Sequence, residues 1–276
     1  MSIRVIANQH EVLDVTFLTF SGGERHVQLP GTSQSTVRQI DLSARLQSAT
    51  DIMDLLLLVN ALRHKFGADM VINITLPYLP YARQDRVCAE GQAFSLDVFA
   101  GLLNSMEFSN ITVWDCHSQV GINLTRAKNI TPEKIIAASP ALVTLLQSAN
   151  SVLVCPDNGA KARCSAIKAF FDLPSMIQCT KQRDPSTGKI TQTTVDVDSL
   201  VGKTAIITDD ICDGGFTFIK IAEQLKAKGA EKIVLYVTHG IFSKGVEVFD
   251  GLIDDIYTSN SIERTVVSPK INVIQY

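Results

Sequence analysis

Two hydrophobic periods alternate along this chain. Apolar runs of strand length recur at ADMVINITL, NITVWDCH, NSVLVCP, KTAIITDD and EKIVLYVTH. Segments with helical spacing lie between them, DIMDLLLLVNALRHKF and FIKIAEQLKAKG among them. Nearly continuous apolar strands separated by amphipathic helices predict an α/β fold: mainly parallel sheets flanked by helices on both faces.

The pattern also repeats. Residues 94–118 (FSLDVFAGLLNSMEFSNITVWDCHS) align without a gap to 216–240 (FTFIKIAEQLKAKGAEKIVLYVTHG). Phe94, Ala100, Leu103, Ile111 and His117 match Phe216, Ala222, Leu225, Ile233 and His239, and Trp114 meets Tyr236. The matched positions mark one helix face and then the following strand. Two similar α/β domains are expected, 1–145 and 146–276, joined where SPALVTLLQSANS leads into a new strand.

Composition narrows the function. With 276 residues, 46% hydrophobic and 19% charged, the chain has the means to bury a core in one large or two modest domains. A net charge of −3 argues against nucleic acid as the main partner. There is no apolar run of ~18 residues and no basic flank before an apolar stretch at the N-terminus, so no membrane partner and a cytoplasmic location are expected. Six cysteines are scattered without CxxC spacing, several inside apolar runs, which reads as reduced core thiols. The histidines form neither HxxH nor HExxH.

The chemistry concentrates in KTAIITDDICDGGFTF. Here a buried strand ends in two acids and passes through a glycine pair into a helix. Gly214 and Gly215 let backbone amides approach an anion, and Thr217 is placed to cap a helix whose N-terminus favours a phosphate monoester. Asp209 and Asp210 are acceptor groups suited to the vicinal hydroxyls of a ribose or to Mg²⁺. Upstream, Gly202-Lys203-Thr204 looks like the end of a Walker loop, but Val197 stands where its first glycine belongs, so a turn before a strand is expected.

Further motifs follow in order: FSGGE (20–24), PYARQDR (80–86), Asp115-Cys116-His117, CPDNGAKAR (155–163), CTKQRDPSTGKI (179–190) and THGIFSKG (238–245). Together they resemble the ribose-phosphate pyrophosphokinase (PRPP synthetase) family from about Phe20 to Ser259. The resemblance implies two type I phosphoribosyltransferase-like domains. It also implies transfer of diphosphate from ATP to the 1-hydroxyl of ribose 5-phosphate, giving PRPP and AMP. The first domain then takes ATP and the second the sugar phosphate, with Mg²⁺ as cofactor and a homo-oligomer, dimer or hexamer, as the assembly.

Site residues follow from the same resemblance. Lys181 and Arg183 fall on the catalytic basic pair, and Arg83, Gln84 and Asp85 on the ATP-binding segment. His117 and Asp157 are associated with Mg²⁺ and the ATP phosphates, and Phe20 and Glu24 with adenine of a neighbouring subunit. Asp213, Gly214, Gly215, Phe216 and Thr217 match the 5-phosphate loop, with Asp209 and Asp210 facing the ribose. The chemistry agrees, since diphosphoryl transfer needs charge neutralisation more than covalent help, and Lys181 and Arg183, two apart on an extended segment, point the same way.

Each group has a plainer reading. Lys181 and Arg183 suit a solvated edge beside Asp184, His117 a buried strand end, and Arg83 and Arg86 a surface cluster around Asp85. Phe20 equally suits a hairpin packed on its own core. There are departures from the family too. Gly22 replaces an acidic or amide residue, Gly214 and Phe216 replace Thr and Gly, VCAEGQ is shorter and less basic than the family's loop, and VIQY carries no closing helix. The alternatives are a catalytically silent, synthetase-like regulatory subunit and a PRPP-consuming phosphoribosyltransferase.

Overall fold

A computed structural model describes residues 2–31, 36–183, 190–263 and 268–276, with the side chains of residues 2, 181–183 and 190–193 outside that description. The chain divides into two compact units, Met1–Ile130 and Thr131–Tyr276.

The first unit runs β1 (Ser2–Ala7), β2 (Glu11–Val12), β3 (Thr16–Thr19), β4 (Arg25–Gln28), β5 (Gln39–Arg45), α1 (Ala49–Phe66) and β6 (Val71–Leu76). It continues through α2 (Ser95–Ser105), β7 (Asn110–Trp114), α3 (Gln119–Thr125) and β8 (Lys128–Ile130). Its sheet has the order β2-β1-β5-β6-β7-β8, parallel from β5 to β8, and β3 and β4 form a separate hairpin. Helix α1 starts where Ser48 accepts from the Asp51 N–H at 3.2 Å while Asp51 accepts from the Ser48 N–H at 2.9 Å, a reciprocal cap. It stops at Gly67, whose φ of 111° a side chain would resist. Ile52, Leu55, Leu58, Val59 and Leu62 recur on its buried face and meet Ile72, Ile74 and Leu76 of β6 in one core.

The second unit runs α4 (Pro132–Ala137), α5 (Pro140–Leu146), β9 (Ser151–Cys155), α6 (Lys161–Phe170), β10 (Met176–Arg183) and β11 (Ile190–Val195). Then come β12 (Thr204–Cys212), α7 (Phe216–Ala227), β13 (Lys232–Gly240), β14 (Asp255–Ser259) and β15 (Ile271–Ile274). The sheet order is β11-β10-β9-β12-β13-β14-β15, with only the β10–β11 pair antiparallel. Ile233 to Gly240 are buried without a break, as expected of a central strand covered on both faces.

The second compact unit starts at Thr131 and so includes α4 and α5, which lie before the expected domain junction at 145/146. Helices α4 and α5 pack on α6 and β9, and the Ser151 hydroxyl donates to the Leu145 carbonyl at 2.6 Å. The two matched segments each become a helix followed by a parallel strand, α2–β7 and α7–β13. Ala100, Ala222, Leu103 and Leu225 are all buried. The histidines diverge: His117 is exposed beyond β7, whereas His239 is buried within β13 and bonded to the Ser261 hydroxyl at 2.8 Å. Gly202 has a φ of 72° and lies in the turn before β12, as its sequence context required. Among the described residues no helix is long and apolar enough to cross a membrane.

Candidate active site

Strand β12 carries the acid pair to its C-terminal end, the end at which open parallel sheets bind ligands. The Asp209 and Asp210 side chains are 16% and 7% exposed, so both carboxylates are largely withdrawn from water. The Asp209 carboxylate accepts from the N–H of the next residue, Asp210, at 2.9 Å. Burial, with the charge of Asp210 beside it, pushes the Asp209 carboxyl well above the usual carboxylate range, and the guanidinium of Arg163 opposes that rise.

The loop after the acids is tied to the segment following β13. The Cys212 carbonyl accepts from the Ile241 and Phe242 N–H groups at 2.8 and 3.1 Å, and the Asp213 carboxylate accepts from the Ser243 hydroxyl at 2.5 Å. Helix α7 begins earlier than the Thr217 cap implied. Gly215, at φ 80°, is the N-cap and Phe216 the first helical residue, because only a residue tolerant of the left-handed region makes this turn. The N–H groups of Gly214, Phe216 and Thr217 have no acceptor among the described residues, which leaves an anion-binding helix start. Phe216 is 55% exposed, with the Lys220 ammonium 5.9 Å from its ring centre. Exposed Lys244 runs over Gly214, where a Cβ would lie 3.6 Å from its Cγ. The sequence singled out THGIFSKG but gave Lys244 no role.

On neighbouring β9 the chain turns through PDNG into α6. Asp157, half-buried, accepts from the Ala160 N–H at 3.1 Å, which fixes its carboxylate at the start of that helix. Three residues further, Arg163 reaches Asp209 and Asp210, each at 3.6 Å. Arg163 was visible only as the last letter of CPDNGAKAR, and nothing local in that motif marks an ion pair with a distant strand.

In the first unit the expected ATP-side residues follow the C-terminal ends of β6 and β7. Arg83, Gln84 and Asp85 line a cavity of about 330 Å³ with Arg86, Cys88 and Gln92. A turn bond from the Gln84 N–H to the Tyr81 carbonyl (2.8 Å) and one from the Leu96 N–H to the Gln84 carbonyl (3.3 Å) hold this segment against α2. Arg86 and Asp85 stand 4.0 Å apart with Arg86 81% exposed, a contact of little energetic weight. His117 is exposed, not the buried strand-end histidine of the plainer reading. Phe20 and Glu24 sit at the tip of the β3–β4 hairpin, closed by the Phe20 N–H to the Glu24 carbonyl (2.9 Å), the Gly23 N–H to the Phe20 carbonyl (2.8 Å) and Gly23 at φ 93°. The Phe20 ring is 53% exposed and is not packed into its own core.

Lys181 and Arg183 lie on β10, and the pairing with β11 shifts register between Gln182 and Arg183. Their side chains are outside the described residues. Among the described residues no three His, Cys, Asp or Glu side chains gather as a metal cage. The oxygen donors of Asp157, Asp209 and Asp210 suit a hard cation such as Mg²⁺, which takes one or two carboxylates and completes its shell with phosphates and water.

Comparison with known proteins adds an independent line. A family model described as the N-terminal domain of ribose phosphate pyrophosphokinase matches residues 6–106, and the phosphoribosyl synthetase-associated domain matches 156–275. The ribose-phosphate pyrophosphokinase of Mycoplasmopsis pulmonis is 31% identical over 247 residues, covering 87% of this chain and 75% of that one. The enzyme of that name from Pyrococcus furiosus is 29% identical over 274 residues, covering 98% and 92%. A crystal structure of phosphoribosylpyrophosphate synthetase from Mycobacterium smegmatis superimposes with a TM-score of 0.80 at 21% identity, covering 96% of this chain and 87% of that one. The motif order, the architecture and these matches agree: the chain belongs to the ribose-phosphate pyrophosphokinase family.

Proposed function

We propose that this chain is a PRPP synthetase that transfers the terminal diphosphate of ATP to the 1-hydroxyl of ribose 5-phosphate, releasing AMP. The observation that carries the reading is the end of β12, where two withdrawn carboxylates precede a glycine turn and a helix start whose N–H groups at Gly214, Phe216 and Thr217 have no acceptor among the described residues. Carboxylates accept from the ribose hydroxyls, and the N–H groups of the 213–217 loop take the 5-phosphate. Lys181 and Arg183 neutralise charge on the diphosphate in flight, which is where this chemistry needs help.

ATP occupies the Arg83–Gln84–Asp85 segment with His117, a reading supported by the cavity there and the exposure of the imidazole. His117 and Asp157, each taken within its own unit, are the residues that would be associated with Mg²⁺ and the ATP phosphates, and the ion would supply charge neutralisation. The exposed Phe20 ring and Glu24 serve the adenine of a neighbouring subunit, so the active form is a homo-oligomer, a dimer or hexamer, working in the cytoplasm. The test is incubation with ATP, Mg²⁺ and ribose 5-phosphate. AMP and PRPP formed in equal amounts support the proposal. Binding of both substrates without either product identifies a silent subunit, and PRPP consumption with a free base identifies a phosphoribosyltransferase.

A further inference from the structure

Successive residues of a strand point to opposite faces, so Asp209 and Asp210 on regular β12 would diverge. Instead, one guanidinium meets both. Nη1 of Arg163 lies 3.6 Å from Oδ1 of Asp209, and Nη2 lies 3.6 Å from Oδ2 of Asp210. The Arg163 side chain is itself only 12% exposed, so the guanidinium acts on both carboxyl groups with little screening by water. At 3.6 Å these two contacts are longer than the ~2.8 Å of a direct charge-assisted hydrogen bond, so they are ionic. A planar fork with two separate NH₂ ends spans two carboxylates in a way that a point charge does not. Helix α6, which carries Arg163, starts after Ala160, whose N–H donates to the Asp157 carboxylate at 3.1 Å.

We propose that Arg163 is the positioning residue of the sugar site: it draws both carboxylates of the 209–210 pair to one side and balances their charge, so that the two accept from adjacent hydroxyls of a pentose phosphate. The inference rests on the reading of Asp209 and Asp210 as ribose acceptors. It assigns Arg163 no contact with substrate and makes it the link between the PDNG turn and the acid pair.

The experiment is steady-state kinetics, with melting curves as a check on folding, for Arg163→Met, Arg163→Lys, Asp210→Asn and the Arg163→Met/Asp210→Asn double variant. With the acid pair misplaced, its bonds to the sugar hydroxyls weaken, so Arg163→Met should raise KM for ribose 5-phosphate by at least ~10-fold while KM for ATP moves less than ~2-fold. Arg163→Lys, which keeps the charge without the fork, should recover only part of the loss. In the Asp210→Asn background Arg163→Met should cost clearly less than alone, because the partner it acts through is already weakened. Additive effects, or KM values for both substrates rising together, would overturn the proposal in favour of a purely structural arginine. Should Arg163→Met not fold, the same KM split in Arg163→Lys decides. An Asp210→Asn variant with normal KM for the sugar overturns the acid-pair reading itself. A sugar-specific defect in Asp210→Asn with none in the Arg163 variants overturns only the role of Arg163.

Discussion

Gly215 joins fold and function in one backbone angle. At φ 80° a side chain is strained, and a Cβ there would lie 2.6 Å from Cζ and 2.9 Å from Cε1 of fully buried Phe249. Overpacking of this kind costs roughly 1–3 kcal/mol, so Gly215→Ala should lower the melting temperature and weaken ribose 5-phosphate binding together. An unchanged Tm in a scanning calorimeter would show that the turn tolerates a side chain. Lys181 presents a different residue-scale case. If it stands opposite developing diphosphate charge, Lys181→Ala should leave the melting curve intact and cut kcat by ~100-fold or more, the usual loss for one preorganised contact to the transition state. Near-normal turnover in the folded variant would remove it from the catalytic pair.

At the scale of elements, an ion pair helps seat the β3–β4 hairpin on α1, beside the packing of Val27 and Phe17 in the same core. Arg25 donates to both oxygens of Asp54 at 2.7 and 2.5 Å and to the Thr19 hydroxyl at 2.5 Å, while the Asp54 side chain is only 1% exposed. Breaking a pair from one side strands a buried carboxylate, whereas replacing both partners by apolar groups is close to neutral. Arg25→Met should therefore lower the urea midpoint, and Arg25→Met/Asp54→Leu should restore most of it. Equal midpoints for the two variants would mean that Asp54 needs no cation. The same comparison bears on function, because this hairpin carries the Phe20–Glu24 tip. A hairpin that loosens should raise KM for ATP, if the tip serves adenine.

For the whole molecule, burial sorts the thiols. Cys88 is exposed, while Cys116, Cys155, Cys164, Cys179 and Cys212 are buried. Burial, with Asp213 and Asp209 nearby, pushes the Cys212 thiol up to about 12, and Cys164 is also raised by its bond to Cys155 and by burial. A thiol reagent should thus label one cysteine rapidly in the native protein and all six after unfolding. Fast labelling of two or more native thiols would show that a core opens on the reaction timescale. Assembly has its own test. If Phe20 serves a neighbour, mixing inactive Phe20→Ala and Lys181→Ala chains after dissociation should recover part of the activity, since some sites then hold both intact parts. Confirmed hybrids that stay inactive, or a monomer at full rate, would exclude a shared site.

Periodicity and punctuation were enough to read much of this protein. The alternating strands and helices, the glycine turn after the two acids and the turn at Gly202 are local, because strand and helix periods and left-handed glycine angles depend on near neighbours in the chain. The motif order carried the family in the same way. Other features came only with the tertiary structure. The loop between β12 and α7 is tied to Ile241, Phe242 and Ser243, residues far along the chain. Helices α4 and α5 belong to the second unit because their partners are α6 and β9. His117 and His239 occupy matched positions in sequence, yet one faces solvent and the other is enclosed by β14 and the Ser261 turn. Arg163 meets Asp209 and Asp210 because β9 and β12 are paired in parallel and α6 follows β9. No spacing rule encodes a charge pairing between a helix and another strand, since it depends on which strands become neighbours in the sheet.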